Sequence, residues 1–369
     1  MSADKPGYQP SAADFILHHN DAGNVVAWSA RYGNVEGGAD ASVVLQKAID
    51  RLPSVGGKIG IAAGTYDLNS TVRIEDKHGV HLEGAGRGIV FSGGNEGTVF
   101  RCDRDVDLLE IFGKTVKVAG VSISHLHLIG SGRANGKAGI LVRGDADLLS
   151  LHNVGVNHCQ IGIHLRGGDS ERAGVVDAPQ LQFCDPQVCG VGLMIERCHY
   201  AKIVGGEFSD HDEYGIVLAS PDDGGARLGG VKIIGVTAVR KGKAGILIGP
   251  NTDCVTVTGG ADIGGWDCGI RIAADGRGRP PRNVIVTGIH AYNNRRAGIE
   301  IDGAEHVVVS SCICSGHDHA FVENPTPRHG IVVKDSEHVL IQGNILYGHA
   351  DQNIADLTGQ AVLANNRES

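Results

Sequence analysis

The chain has 369 residues, of which 56 are glycine, 41% are apolar and only 4% are aromatic, and its formal net charge is −9. Glycine at roughly twice its usual share, with enough apolar residues to fill a core, indicates an ordered, turn-rich fold and excludes a helix bundle, a coiled coil and collagen. The acidic balance argues against a nucleic-acid or anionic-membrane partner, because both require a basic face.

The N-terminal twenty residues and the cysteines both favour a cytoplasmic location. The first twenty residues lack a basic segment followed by an apolar one, so no secretory signal is visible; a trimmed N-terminus would instead imply secretion. No run of 18 apolar residues is available to span a bilayer. The nine cysteines are spread out without a Cys-x-x-Cys pair, so we expect buried reduced thiols rather than disulfides or a zinc site.

In chain order, residues 1–58 form an N-terminal extension that contains a capping helix at 40–52. Asp40 or Ser42 can act as the N-cap of this helix. Its apolar residues recur at helical spacing and share one face: Val44, Leu45, Ala48, Ile49 and Leu52. We expect the helix to cover the open edge of the first β-coil, because an uncovered edge invites polymerisation. The polar C-terminal end, 351–369, is expected to be irregular.

From residue 139 onward, a tetrapeptide of the form Gly-(Ile/Leu)-x-apolar occurs eight times. Its leading glycines are Gly139, Gly162, Gly192, Gly215, Gly245, Gly269, Gly298 and Gly330. They are 23–32 residues apart, and the short β-branched runs between them, broken by Gly and Asn, are typical of strands and turns. Eight copies at this spacing indicate a solenoid of stacked units.

The repeat predicts an all-β fold, a right-handed parallel β-helix of about twelve coils over residues 59–369. No stretch between repeats has ten residues of clean helical periodicity, which excludes βαβ units. Leucine-rich repeats require an Asn-containing signature that is missing, and propeller blades require about 40–50 residues per repeat.

In each tetrapeptide the third residue should point outward, since its two apolar neighbours fill the core. These residues predict a surface column: Leu141, His164, Met194, Val217, Leu247, Arg271, Glu300 and Val332. A second column lies two positions further on: Gly144, Arg166, Glu196, Ala219 or Ser220, Gly249 or Pro250, Ala273, Asp302 and Lys334. Five residues of the first column are apolar, which predicts cover by a loop, packing between subunits or a nonpolar substrate wall.

One candidate catalytic site combines Glu300 and Asp302, which share a strand face about 6.5–7 Å apart. Two carboxylates at such a distance can divide the acid and base work on a glycosidic bond. Arg271, beside Glu300, can keep a carboxylate ionised or bind a substrate anion. The alternative is a solvated ladder of salt bridges that also includes Lys334.

A second candidate site is the turn at 210–214, Asp-His-Asp-Glu-Tyr, which enters the strand of Gly215. We expect this turn to overlook the groove. Asp212 and Glu213 can serve as acid, base or nucleophile, and His211 can transfer protons near neutral pH. An acidic solvated turn is the alternative.

The loop at 315–329 carries four potential metal ligands: His317, His319, Glu323 and His329. A His-x-His pair binds a metal ion only when a third ligand joins it. We therefore assign no metal and no cofactor to the protein.

A series of short motifs precedes the repeats. They are Tyr32-Gly33, Ala39-Asp40, Ala48-Ile49, Gly56-Gly57-Lys58-Ile59, Ala63-Gly64-Thr65-Tyr66 and Leu82-Glu83-Gly84-Ala85-Gly86. Together they resemble the opening of the pectate-lyase superfamily of β-helix proteins, where a capping helix, a GG turn, a PxGxY strand and a GxG turn follow one another. Ala stands here where Pro is commoner. The resemblance implies the fold and a substrate groove on the outward strand face, in a superfamily of lyases, hydrolases, epimerases and phage tailspikes.

The middle of the chain carries a narrower likeness. Asn135-Gly136-Lys137-Ala138-Gly139-Ile140, followed by two 23-residue steps between tetrapeptides, is similar to the coil series of inulin fructotransferases and their difructose-anhydride hydrolase relatives. That resemblance implies a homotrimer and an acidic pair, Asp212 or Glu213 with Asp222 or Asp223. The run 210–212 also resembles the acid–His–acid element of polyuronate C5-epimerases, without its intervening Pro.

The leading hypothesis is a cofactor-independent carbohydrate-active enzyme, a lyase or glycoside hydrolase, that cleaves or rearranges a glycosidic bond. Fructan-type transfer or difructose hydrolysis is the specific expectation, and the few aromatic residues favour a short saccharide or a chain end. The predicted catalytic residues are Asp212, Glu213, Glu300, Asp302 and His211. The predicted substrate-binding residues are His164, Arg166, Glu196, Arg271 and Asp223.

Three alternatives stay open at the level of the sequence. A polyuronide lyase or C5-epimerase would use His211, His164, Arg166 and Arg271 as base and cations. A tailspike-like module would bind glycans without catalysis. A biosynthetic isomerase or cyclase would act on a nonpolar metabolite along Met194, Val217 and Leu247.

Overall fold

The computed structural model describes residues 13–35, 37–88, 97–134, 137–168, 174–222, 226–259, 262–276, 278–316 and 326–369. Short parallel strands dominate it, with 31 strands in one sheet and six in another. Along the repeats, strands pair with the equivalent strands of the next turn of the chain. The chain therefore winds as a parallel β-helix with three strand faces, which confirms the predicted all-β fold.

Face 1 carries the tetrapeptide repeats. Its strands are Val72–Glu75, Leu109–Ala119, Ala138–Asp147, Ile161–Gly167, Val191–Glu196, Tyr214–Leu218, Ala244–Ile248, Cys268–Ala273, Ala297–Asp302, His329–Lys334 and Gln352–Asp356.

Face 2 begins inside the N-terminal extension, because Phe15–His19 pairs in parallel with Gly57–Ile61. Its strands are Phe15–His19, Gly57–Ile61, Val80–Gly84, Ser122–Ile129, Ser150–Asn157, Gln180–Gln182, Lys202–Val204, Lys232–Ile234, Thr252–Thr258, Arg282–Thr287, Glu305–Ser310, Glu337–Gln342 and Val362–Ala364.

Face 3 contains the six-stranded sheet. Its strands are Thr237–Val239, Asp262–Gly264, His290–Tyr292, Ile313–Ser315, Ile345–Tyr347 and Arg367–Glu368, with Gly64–Asp67, Thr98–Arg101 and Asp185–Gln187 nearer the N-terminus. The remaining strands are Val25–Trp28, which is antiparallel to Phe15–His19, and the short pieces Val176–Asp177, Cys198–His199 and Leu228–Gly229.

The leading glycine of each tetrapeptide is required by the close spacing of the coils. At Gly162 and Gly192 a Cβ atom would lie 2.5 Å from the carbonyl oxygen of the equivalent glycine in the next coil. At Gly215 the same distance would be 2.6 Å. A backbone oxygen cannot yield enough to admit a side chain, so glycine recurs at each turn while the next residue, such as Ile163 or Ile216, fills the core.

The capping helix covers the first coil as expected. It spans Ala41–Arg51, and Asp40 is its N-cap, with a side-chain oxygen that accepts a hydrogen bond from the backbone nitrogen of Ser42 at 2.9 Å. The five residues of the predicted apolar face are all buried in the main core. The described ranges contain no other α-helix. At 11 residues, this one is too short to cross a membrane.

The interior is one long apolar core that runs through the stacked coils. None of the nine cysteines forms a disulfide, and eight of them are buried, as predicted. Burial raises the pKa of the Cys184 thiol to about 12, so this thiol is un-ionised at neutral pH. Cys254 is the exception: it is exposed on the strand Thr252–Thr258, where its φ is 55°.

The C-terminal end is more regular than its polar composition predicts. The strands Gln352–Asp356, Val362–Ala364 and Arg367–Glu368 continue the three faces by parallel pairing. The expectation of an irregular segment was wrong because the ladder on the preceding coil supplies the hydrogen bonds that fix these strands.

Candidate functional site

The outward column on face 1 forms an unbroken register from Leu141 to Val332. Each of its eight predicted residues opposes the next across a parallel strand pair, which confirms the column. Val217 and Leu247 are buried even though they point away from the core. The middle of the column is thus covered by the protein's own chain and is not an exposed apolar stripe.

The second column is confirmed in part. Arg166 opposes Glu196, and Asp302 lies between Ala273 and Lys334 in register. The assignment of Gly144 to this column was wrong: Arg143 opposes Arg166, and Gly144 has a φ of 77° at a register shift.

An open cleft of about 590 Å³ lies at the C-terminal ends of the central face-1 strands. We call it the Glu196 cleft. Two carboxylates line it, the half-buried Glu196 and the exposed Asp222. The rest of its lining is Ala219, Ser220, Pro221, Pro250, Asn251, Gly276 and Gly278.

Hydrogen bonds position the polar groups of the Glu196 cleft. Nε2 of His164 lies 2.8 Å from Oε2 of Glu196. The buried Ser220 accepts a hydrogen bond from the backbone nitrogen of Arg197 at 2.8 Å, and Nδ2 of Asn251 donates to the Ser220 carbonyl at 3.0 Å. The structure thus brings together two predicted substrate-binding residues, His164 and Glu196. Arg166, the next predicted one, is exposed beside Glu196 in the strand register.

A second cleft, of about 520 Å³, lies at the N-terminal ends of neighbouring face-1 strands. We call it the basic cleft, because five cationic side chains line it together with one aromatic and one acidic residue. Its lining is Lys243, Arg271, Arg295, Arg296, Arg328, Tyr214 and Asp267. Burial raises the pKa of the Tyr214 phenol, so the hydroxyl is protonated at neutral pH.

Glu300 is a buried carboxylate held between two arginines of the basic cleft. Its Oε1 lies 3.2 Å from Nε of Arg271, and its Oε2 lies 2.6 Å from a terminal nitrogen of Arg296. The Cys268 thiol donates to the same Oε2 at 3.3 Å. Burial lowers the Arg271 pKa, but hydrogen bonds and attraction from Asp275 and Glu300 outweigh this effect and raise it.

The sequence predicted that Glu300 and Asp302 form an accessible pair of carboxylates on this face. For Glu300 this prediction was wrong. Only 6% of Glu300 is exposed, because the arginines beside it cover the strand face. Asp302 is more accessible and lies 3.4 Å from Nζ of Lys334. The ladder of salt bridges, the alternative raised for this cluster, describes the contacts that the structure shows.

The acidic turn at 210–214 is a set of surface ion pairs. Asp212 lies 2.7 Å from Arg133 and 3.5 Å from Lys241, and Glu213 lies 2.9 Å from Lys243. The placement of His211 at the groove rim was wrong. Its side chain is fully buried and its Nδ1 accepts a hydrogen bond from the Cys189 backbone at 3.2 Å, so it cannot touch a substrate in this structure.

Several predicted residues fall outside the described ranges. They are Asp223 of the substrate-binding set, and His317, His319 and Glu323 of the loop at 315–329. In the ranges that are described, no three His, Cys, Asp or Glu side chains converge as a metal site would require.

Comparison with known proteins shows what this chain is similar to. Residues 191–367 match the family model described as a right-handed beta helix region. The chain has a right-handed parallel β-helix fold. No curated protein sequence matches this β-helix.

Solved structures extend the fold match to most of the β-helix. The N-terminal fragment of bacteriophage phi29 gene product 12 superposes with a TM-score of 0.68 over 89% of this chain, at 14% identity. The chain spans only 60% of that fragment. A DFA-IIIase from Arthrobacter chlorophenolicus superposes with a TM-score of 0.63 over 89% of this chain and 90% of that one, at 15% identity.

A mannuronan C-5 epimerase A-module from Azotobacter vinelandii superposes with a TM-score of 0.55 over 89% of this chain and 95% of that one, at 16% identity. Identities this low establish the shared fold alone.

Sequence reasoning missed the basic cleft. Its cations Lys243, Arg296 and Arg328 stand two residues before the tetrapeptide glycines Gly245, Gly298 and Gly330. The same position holds Glu213 before Gly215 and Asp267 before Gly269, so an alignment of the repeats would not by itself have shown a basic cleft.

Proposed function

We propose that the protein is a carbohydrate-active enzyme that cleaves or rearranges a glycosidic bond in the Glu196 cleft. The observation that carries this proposal is that Glu196 and Asp222 line the same open cleft at the edge of face 1. Two carboxylates beside one bound sugar can divide acid and base work on a glycosidic bond without a cofactor. Fold alone would be only an analogy.

His164 gives the two carboxylates different environments. Its Nε2 lies 2.8 Å from Oε2 of Glu196 and holds that carboxylate in place at the edge of the cleft, which suits Glu196 to act as base or nucleophile. Asp222 is then the second carboxyl group beside the bond and takes the complementary acid–base role. His164 does not line the cleft itself but contacts Glu196, which does, and so serves as a positioning residue.

Proteins that share this fold support a saccharide substrate by analogy. Two structures that share this fold at low identity are named a DFA-IIIase and a mannuronan C-5 epimerase. A fructan- or difructose-type transfer or hydrolysis is the finer proposal, and a homotrimer belongs with it. Val217 and Leu247 are buried. The column therefore offers no exposed apolar surface there to support the alternative of an enzyme that acts on a nonpolar metabolite.

The test is a set of isosteric substitutions assayed on short saccharides, including fructo-oligosaccharides and a difructose anhydride. We expect Glu196→Gln and Asp222→Asn each to lower kcat by about a hundredfold or more. Asp21→Asn, at an exposed turn of the N-terminal hairpin, is the control and should keep full activity. Unchanged turnover in both E196Q and D222N would refute the proposal.

The carboxylates predicted from the sequence form the competing assignment. Alanine at Asp212, Glu213, Glu300 and Asp302 should be assayed on the same saccharides. Each of these groups has a cationic partner within 3.4 Å, so we expect smaller losses than at Glu196. A larger loss at any of them would move the chemistry out of the Glu196 cleft.

A further inference from the structure

The basic cleft gathers five cationic side chains on an otherwise acidic protein, and each of them is paired with a carboxylate. The chain has a formal net charge of −9, yet five of the seven residues lining this cleft are Lys or Arg. These cations come from four successive coils, which are about 4.8 Å apart. The cleft is separate from the Glu196 cleft, since the two share no lining residue.

Two of the guanidinium groups are fixed from behind. The buried Glu300 holds both Arg271 and Arg296, and Asp275 binds Arg271 through two contacts of 2.7 and 3.1 Å. The sulfur of Cys268 accepts from Nε of Arg296 at 3.3 Å. A buried carboxylate is tolerated only when it is fully paired, so this arrangement keeps both guanidinium groups in place without a ligand.

Arg295 and Arg328, two further cations of the basic cleft, form ion pairs only with carboxylates at the protein surface. Nη1 of Arg295 lies 2.8 Å from Asp267, and Nε of Arg328 lies 2.8 Å from Asp351. Both carboxylates are at least 40% exposed, and such ion pairs contribute little energy. Among the described residues each of these arginines uses one of its five N–H donors in this way, so an incoming anion can compete.

We propose that the basic cleft binds a tetrahedral oxyanion, a sulfate or phosphate ester group, carried by the saccharide substrate. Beyond their surface ion pairs, Arg295 and Arg328 retain more N–H donors than the two oxygens of a carboxylate can accept, whereas an ester sulfate or phosphate presents three terminal oxygens. The saccharide part of this assignment rests on the proposed function; the oxyanion part rests on the cleft alone.

The test is calorimetric titration at low ionic strength with glucose 6-sulfate, glucose 6-phosphate, glucuronate and glucose. We expect saturable binding of at least one of the two esters, at least about tenfold tighter than glucuronate, with no binding of glucose. The tighter ester identifies the natural group.

The double variant Arg295→Gln/Arg328→Gln should weaken ester binding by about tenfold or more. Arg101→Gln is the matched control, because Arg101 also pairs with an exposed Asp at 2.8 Å but lies outside the cleft, and its affinity should stay within about twofold of the parent. Added salt should weaken binding to the parent protein.

Three results would overturn the assignment: no saturable ester binding, glucuronate binding as tightly as the esters, or unchanged affinity in R295Q/R328Q. Binding is measured without turnover and at residues outside the Glu196 cleft. Loss of activity in E196Q with intact ester binding would therefore support both proposals. Full activity in E196Q and D222N would refute the first and leave the second standing.

Discussion

At the scale of single residues, the depth of a side chain decides its chemistry more than its type does. His211 and Asp212 are adjacent, yet His211 is fully buried while Asp212 is exposed and ion-paired. Burial lowers the pKa of His211 to about 4, because the charged imidazolium loses its hydration. His211 is therefore a structural residue that folds in its neutral form.

This burial predicts an acid sensitivity of the fold. The unfolded chain takes up a proton at His211 below about pH 6.5, and the folded protein does so only near pH 4. Stability is therefore full above pH 6.5 and falls as the pH drops toward 4, by about 3 kcal/mol from this group.

Urea unfolding at pH 7 and pH 4 measures the effect. His211→Gln should flatten the difference, and His81→Gln, on an exposed side chain, should not. If the variant does not fold, NMR titration of the parent gives the same answer, and an imidazole pKa near 6.5 would contradict the prediction.

At the scale of elements, the capping helix depends on polar contacts at both ends. Asp40 caps its first turn. Nζ of Lys77 donates to the carbonyls of Ile49 at 2.6 Å and Leu52 at 2.8 Å, which satisfies groups that a helix end otherwise leaves open. These contacts fix the helix over the first coil, where its apolar face closes the core.

Loss of the N-cap should loosen this helix. We expect Asp40→Ala to cost about 1 kcal/mol of unfolding free energy, whereas Asp40→Asn should retain most of the stability because Asn is an equally good cap. Partial burial raises the Asp40 pKa, but hydrogen bonds from Ser42 and Asn69 outweigh it and lower the pKa.

The ionised Asp40 carboxylate therefore contributes to the free energy of unfolding above the ordinary pKa of Asp. This contribution is lost as the pH falls through the lowered pKa of the folded state. Thermal unfolding measured from pH 7 to pH 3 should show a weaker acid dependence in D40N than in the parent. An unchanged melting temperature in D40A would mean that the cap contributes nothing.

At the scale of the whole molecule, each coil gains its stability from the coils on either side. The strand Ala297–Asp302 pairs with Cys268–Ala273 and with His329–Lys334. The strand Gln352–Asp356 pairs with His329–Lys334, and in the described part of the chain it has no partner on its other side. Stability in a stacked solenoid is roughly a sum over such neighbours.

Hydrogen exchange should therefore be fastest in the last coil. We expect the amides of Ile354 and Leu363 to exchange about a hundredfold faster than that of Ile299 in the middle of face 1. Ile59, beneath the capping helix, should resemble Ile299. Equal protection of Ile354 and Ile299 would show that the molecule unfolds only as one unit.

The sequence by itself determined the coil and its register. Glycine recurs because a Cβ would strike the next coil, and the residues around it alternate between core and surface, so the column from Leu141 to Val332 could be written out in advance. Both properties are local, set by strand geometry and repeated at each turn.

Only the tertiary structure decided how deeply each side chain is buried and which side chains meet in one cleft. It buried His211 and Glu300, covered Val217 and Leu247, and brought the basic residues from four coils into one cleft. These outcomes depend on how turns of unequal length pack over the strand face. Periodicity shows the direction in which a side chain points, but the neighbouring turns determine what that side chain meets.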